Sequence, residues 1–398
     1  MKSAPHLELA KQYLYGNYRP APVVFVRGEG CSLYDEGGKR YLDLCAGVAV
    51  STLGHAHPEL TKAIAEQAAR VIHVSNYFYN APNIELAEAL VRHTGLARAF
   101  FCNSGAEANE AMLKLARRYH YARGDKMRQR MIAFHNAFHG RTMGALTLTG
   151  TPKYREGFGQ CGPTTHVAYG DLDQVRAAMG ADVAGIVVEP VQGEGGVLPA
   201  PEGFLVGLRK LADEHGALLL VDEVQTGMGR LGKMFGFQGQ IEPDAIALAK
   251  GLAGGVPIGA MVTNARVADA LPPGTHGSTF GGNPLACSAA LAVLRTIENE
   301  KLCDAVRARG QLLTSLLKDA AKALPNACEG SRGVGLLQGL ILREGLLARD
   351  WLGKILDRGV LLTAAGERVL RFTPPLIVSD GELREGVRTV VEVLKEIS

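Results

Sequence analysis

With 398 residues, 47% hydrophobic and 21% charged, the chain has an ordinary globular balance at a length suited to two or three domains. Forty-three Lys and Arg against 40 Asp and Glu leave a formal charge of +3, with no block of five like charges. That excludes the electrostatic footprint of a nucleic-acid or anionic-membrane binder and points to a small-molecule partner.

The opening MKSAPHLELAK has no apolar h-region, and no run approaches the ~18 apolar residues of a membrane span, so a soluble cytoplasmic protein is expected. Seven cysteines without a C-x-x-C pair argue against a disulfide framework or zinc site and fit a reducing compartment. Residues 23–45, VVFVRGEGCSLYDEGGKRYLDLC, read as short strands with glycine turns. Next, His55 and His57 in GHAHPEL have metal-like spacing, but Pro58 marks a loop entering a helix, and no metal role is assigned.

From about residue 98 to 262, continuous apolar runs (RAFFCN, RMIAFHN, AGIVVEP, ALLLVDEV, DAIALAKG, GAMVTN) alternate with helical stretches. This is the pattern of a mostly parallel sheet covered on both faces, an α/β fold. After Pro284, helices at 284–299 and 301–324 lead to strands near 336–342, 359–363 and 369–372. A last amphipathic helix follows, with Leu383, Val387, Val390, Val391, Leu394 and Ile397 on one stripe. The expected division is a large α/β domain over 61–284 and a smaller α+β domain built from both ends, 1–60 and 285–398.

Three places in the α/β region carry chemistry. In FCNSGAEANEAMLKLAR, Ser104 and Glu107 form a capping box, and Ala108, Ala111, Met112, Leu115, Ala116 and Tyr119 share one helix face. Gly105 and Ala106 put small residues on the first turn, where unpaired N–H groups grip phosphates; the same string also describes a well-capped helix with no ligand. Asp222 and Glu223 follow an apolar strand, at the end where ligands bind in open α/β sheets, though a carboxylate there also caps loops. Lys250 ends another apolar run, where desolvation would lower its pKa as a Schiff-base nucleophile requires; a lone lysine there also snorkels to solvent. A strand-end Asp, a strand-end Lys and an anion cradle are together what pyridoxal phosphate needs. No strand opens into G-x-G-x-x-G and no G-x-x-x-x-G-K-[ST] loop exists, so dinucleotide and P-loop chemistry lack their motifs.

At these residues the sequence resembles the class III, ornithine-type aminotransferases of the fold-type I pyridoxal-phosphate enzymes. The resemblance spans about residues 20–395 and rests on NSGAEANE, FHGRT, EPVQGEGG, VDEVQTGMGR, LAKG, GSTFGGNPLAC and LRFTPPL in the family order. It implies a seven-stranded, mostly parallel sheet in the large domain and a homodimer with shared active sites. It further implies that Lys250 binds the cofactor covalently and moves the proton of amino transfer, and that Asp222 pairs with the pyridinium nitrogen. Gln225 would approach the phenolic oxygen, Val224 and Phe138 would cover the two ring faces, and Ser104, Gly105 and Ala106 would hold the phosphate, completed by Thr279 from the neighbouring subunit.

The implied substrates, N-acetylornithine and 2-oxoglutarate, are carboxylates, so arginines are needed. Arg141, with Ser278, would take the donor's α-carboxylate and the distal carboxylate of 2-oxoglutarate. Arg371 would take the oxoacid's α-carboxylate, with Glu194 neutralising it when the donor enters; a purely structural ion pair is the other reading of those two. Ser32 in GCSLYD, where a free-ornithine site would carry a tyrosine, and HVSNYFYN at 73–80 favour an acylated donor and a place in arginine biosynthesis. The alternatives are succinylornithine, N-acyl-diaminopimelate or lysine intermediates, free ornithine or 4-aminobutyrate as donor, or a related aminomutase or decarboxylase.

Overall fold

The computed structural model describes residues 5–159 and 162–397; residues 1–4, Gln160, Cys161 and Ser398 lie outside them. Its centre is a seven-stranded sheet in the order Arg98–Cys102, Gly259–Thr263, Ala245–Leu248, Leu218–Asp222, Val183–Val188, Arg130–Phe134, Thr164–Val167. Six strands run in parallel, and Gly259–Thr263 runs against both of its neighbours.

The inner strands are buried along their whole length because helices cover both faces. Alternate residues go to opposite layers. Leu218 and Leu220 join Ala108, Met112 and Leu115 of the helix Gly105–Ala122, whereas Leu219 and Val221 join Phe204, Leu208 and Leu211 of the helix Phe204–Glu214.

Two smaller sheets flank this layer. Phe25–Glu29, Ser32–Asp35 and Arg40–Asp43 form a meander whose free edge receives Val360–Leu361 in parallel, so the two ends of the sequence share one sheet. Cys328–Val334, Leu337–Leu342, Val369–Phe372 and Thr363–Ala365 form the other, all antiparallel. The single strand expected at 359–363 is therefore two short strands in different sheets, and Cys328–Val334 is one the pattern did not suggest. In the last helix, Asp380–Leu394, Leu383, Val387, Val390 and Leu394 are buried as the stripe requires, and Ile397 lies past its end. No helix among the described residues is long and apolar enough to cross a membrane.

Candidate active site

The C-terminal ends of the strands open on a cavity of about 410 Å³, within the usual range for small-molecule sites. Ser104, Gly105, Ala106, Phe138, Arg141, Glu194, Asp222, Val224, Gln225 and Lys250 all line it.

The helix Gly105–Ala122 points its first turn at this space. Its cap is a closed circuit. Ser104 Oγ accepts from Glu107 N at 3.2 Å and donates to Glu107 Oε2 at 3.1 Å, while Asn103 N donates to the same oxygen at 2.7 Å. The Ser104 hydroxyl is thus committed to Glu107, and the amides of Gly105 and Ala106, which have no carbonyl one turn back, are the donors left over. A Cβ at Gly105 would lie 2.8 Å from Val224 Cγ1, so only glycine leaves room there.

Asp222, 4% exposed, ends its strand in a cage of donors. Asn109 Nδ2 donates to Oδ2 at 2.7 Å, His139 Nδ1 is 2.7 Å from the same oxygen, and Val224 N donates to Oδ1 at 2.9 Å. Burial, the largest single influence on His139, disfavours its charged form; the bond to Asp222 and the charges of Asp222 and Glu189 outweigh it and hold the imidazole pKa above its ordinary value.

Glu223 turns away from the cavity. Its Oε1 accepts from Phe237 N at 2.8 Å and its Oε2 from Thr226 Oγ1 at 2.5 Å, and burial pushes its pKa up to about 7. A carboxyl raised in the fold keeps a proton that the unfolded chain loses, so its contribution is fully present below about pH 4.5 and is lost as pH rises to about 7. Glu223→Gln is therefore expected to flatten the decline of the urea midpoint between pH 5 and 7.5, on the order of 3 kcal/mol at ~1.4 kcal/mol per pKa unit. An unchanged pH slope would refute this.

Lys250 follows the strand Ala245–Leu248 with φ +33°, a backbone geometry costly for a side-chain-bearing residue. The turn is pinned from the N-terminal segment, where Thr52 Oγ1 donates to Gly251 O at 2.9 Å. A Cβ on Gly251 would lie 2.4 Å from Thr52 Oγ1. Burial lowers the Lys250 pKa, with Glu194 opposing the shift.

Glu194 sits in the turn between the paired short strands Val191–Gln192 and Leu198–Pro199. Arg371, 1% exposed, reaches this turn from the strand Val369–Phe372. It donates to Glu194 Oε1 at 2.5 Å, Gly193 O at 3.0 Å, Gln225 Oε1 at 3.4 Å and Thr363 Oγ1 at 3.1 Å. Burial would raise the Glu194 pKa, but Arg371, Lys250 and the hydrogen bonds take it below the ordinary range. Gln225 Nε2 also donates to Glu194, at 3.4 Å, so Gln225 bridges both members of the pair.

Arg371, Ser278 and Thr279 do not line the cavity. Ser278 Oγ accepts from Asn103 Nδ2 at 3.2 Å, just behind it. Thr279 borders a separate small depression with His73, Val74, Ser75 and Asn80, beside the exposed ring of Phe280. Ser32 faces elsewhere: its hydroxyl accepts from Arg40 Nε at 2.9 Å, in the N-terminal meander, so the departure at Ser32 carries no information about the donor. His55 bonds Asp43 and His57 approaches Glu300, and no group of three potential metal ligands occurs among the described residues.

Asn109, His139 and Glu189 line the cavity without having been singled out in the sequence. Each left a trace there. Asn109 is polar on the buried side of a helix, His139 lies between Phe138 and Arg141 in FHGR, and Glu189 follows an apolar strand just as Asp222 does. Glu189 Oε2 accepts from Phe138 N at 3.3 Å, and burial pushes its pKa up to about 8.

Residues 13–394 match the family model described as aminotransferase class-III. The chain is 49% identical, over 95% of its length and 94% of the relative's, to the acetylornithine aminotransferase of Myxococcus xanthus. It is 44% identical to the succinylornithine transaminase/acetylornithine aminotransferase of Pseudomonas aeruginosa, covering 97% of each chain. An ornithine aminotransferase from Toxoplasma gondii ME49 superposes with a TM-score of 0.94 at 33% identity, covering 98% of this chain and 94% of that one. For an N-acetylornithine aminotransferase from Stenotrophomonas maltophilia K279a the values are 0.85 and 36%, with 98% of each chain covered.

Proposed function

Because the chain belongs to the class-III aminotransferases, we propose that it moves the terminal amino group of N-acetylornithine to 2-oxoglutarate, giving N-acetylglutamate 5-semialdehyde and glutamate. The observation that carries the proposal is the contrast between two arginines beside Lys250. Arg371 is neutralised by Glu194, whereas Arg141, at the cavity wall, has no carboxylate partner among the described residues. One site must hold a monocarboxylate donor and a dicarboxylate acceptor in turn. An arginine that is always available and one that opens by releasing Glu194 answer that requirement.

The residues fit pyridoxal phosphate. The unpaired amides of Gly105 and Ala106, with the room that Gly105 leaves beside Val224, form a cradle for a phosphate. The buried, triply bonded Asp222 suits a protonated ring nitrogen, and Lys250 supplies the amine. When bound, pyridoxal phosphate contributes an aldehyde that condenses with amines and a ring that withdraws electrons from the amine-bearing carbon.

The protein's own residues do the rest. Lys250, whose pKa burial lowers, would hold the cofactor's aldehyde and supply the amine that takes a proton from the donor's terminal carbon. Asn109, His139 and the Val224 amide hold Asp222 as an acceptor. Val224 and Phe138 would cover the ring, Gln225 would serve its phenolic oxygen, and Arg141, assisted by Ser278, would fix the donor α-carboxylate. Glu194 leaves Arg371 only for the α-carboxylate of 2-oxoglutarate.

In this reading the working unit is a homodimer, with Thr279 of the partner subunit completing the phosphate site. Tyr77, Phe78, Tyr79 and Phe280, all strongly exposed, supply the apolar surface such an interface needs. The division into 1–60 with 285–398 and 61–284 belongs to the same proposal, supported by the pairing of Val360–Leu361 with Arg40–Asp43. So do the cytoplasmic location and the place in arginine biosynthesis.

The test compares kcat/KM across amino donors with 2-oxoglutarate as acceptor. N-acetylornithine is expected to exceed free ornithine by about 100-fold or more, the discrimination available when a polar or charged end must be matched. Higher values for N-succinylornithine, an N-acyl-diaminopimelate, free ornithine or 4-aminobutyrate would move the donor assignment. No glutamate from any donor would favour an aminomutase or decarboxylase.

A further inference from the structure

The two arginines assigned to the substrate carboxylates are held differently. Arg371 is fixed by four oxygen acceptors, but Arg141 has neither an ion pair nor a hydrogen bond among the described residues. What it does touch is aromatic: its guanidinium carbon lies 3.9 Å over the ring of Tyr154 and 5.5 Å over that of Phe138. These two rings meet edge to face, at 6.1 Å and 89°.

We propose that Tyr154 is a positioning residue for substrate selection, a ring that fixes the Arg141 guanidinium by its face and leaves its N–H edge for a carboxylate. The inference rests on the reading of Arg141 as the donor-carboxylate site. An arginine side chain free in solvent would lose much rotamer entropy on gripping a carboxylate, and a stacked planar fork has lost it already. Stacking also leaves the guanidinium charge unneutralised, which a carboxylate partner would not.

The ring is itself anchored to the loop it serves. Tyr154 ends the short turn Pro152–Tyr154, where its amide donates to Thr151 O at 3.1 Å. Just before it, Gly150 N donates to Ala137 O at 2.8 Å, and a Cβ on Gly150 would lie 1.9 Å from Phe134 O. Arg141 and Tyr154 thus hang from the same end of the strand Arg130–Phe134, and the ring holds the guanidinium at one place on the cavity wall. A guanidinium held at one place favours substrates whose carboxylate reaches it.

The test measures kcat and KM for wild type, Tyr154→Phe, Tyr154→Leu, Arg141→Ala and the double variant Tyr154→Leu/Arg141→Ala, and glutarate binding to cofactor-free protein by calorimetry. Tyr154→Leu is expected to raise KM for donor and 2-oxoglutarate about 10-fold and to weaken glutarate by a similar factor, within the range of a partly desolvated cation–π contact. Its kcat stays within about 3-fold, Tyr154→Phe stays near wild type, and the double variant is no worse than Arg141→Ala. If Arg141→Ala raises KM and Tyr154→Leu, folded by its melting curve, does not, the inference fails alone. A Tyr154→Phe as impaired as Tyr154→Leu, or a loss in kcat without KM, also overturns it. If Arg141→Ala itself leaves KM unchanged, the reading of the carboxylate site fails first.

Discussion

Lys250→Ala is expected to lower kcat by at least about 10⁴-fold while leaving a folded protein. A positioned general base contributes up to about that factor on its own, and here the same amine must also hold and release the cofactor. Stability should survive, because Lys250 has no ion pair to lose among the described residues and burial already disfavours its charge. Lys250→Arg, which keeps a positive charge but cannot deprotonate, should be as inactive. Turnover within 100-fold of wild type, alongside an unchanged urea midpoint, would refute the assignment.

Asp222→Asn attacks the site from the other side. Three donors converge on this carboxylate, and an amide in its place turns an NH₂ group toward one of them. Breaking a buried charged pair by removing one partner typically costs ~3–5 kcal/mol of stability, so a lower urea midpoint is expected, with weaker cofactor retention and a reduced kcat. The His139 pKa should fall with it, since burial then acts with only Glu189 opposing. NMR titration of His139 separates this from simple unfolding. A full-strength enzyme, or an unmoved His139, would show that Asp222 is not the anchor of the network.

Much of this was legible in the residues because the chemistry sits where the chain changes character. Asp222 and Lys250 end apolar strands, and Gly105 follows a capping serine. The face on which each strand-end carboxylate points was not legible. Strands buried on both sides lose the alternation that would tell Asp222 from Glu223, and here the adjacent residues go to a cavity and to a loop cap. Asn109 and His139 escaped notice because a buried polar side chain announces itself only through partners brought from distant segments. CEGSRGV, residues 328–334, was missed as a strand for a local reason: its glycines and charges erase period-two alternation, and it is held by pairing to Leu337–Leu342.

The parallel pairing of Val360–Leu361 with Arg40–Asp43 has a consequence for biosynthesis. Leu42 N bonds Gly359 O at 2.8 Å and Leu44 N bonds Leu361 O at 3.1 Å, so this edge stays bare until the ribosome has added about 320 more residues. At ~5–20 residues per second that is a wait of roughly 15–60 s with an unpaired strand edge exposed. Arg371 emerges later still, ten residues after Leu361. The nascent chain can therefore complete the layer bearing Asp222 and Lys250 well before it can discriminate between carboxylates.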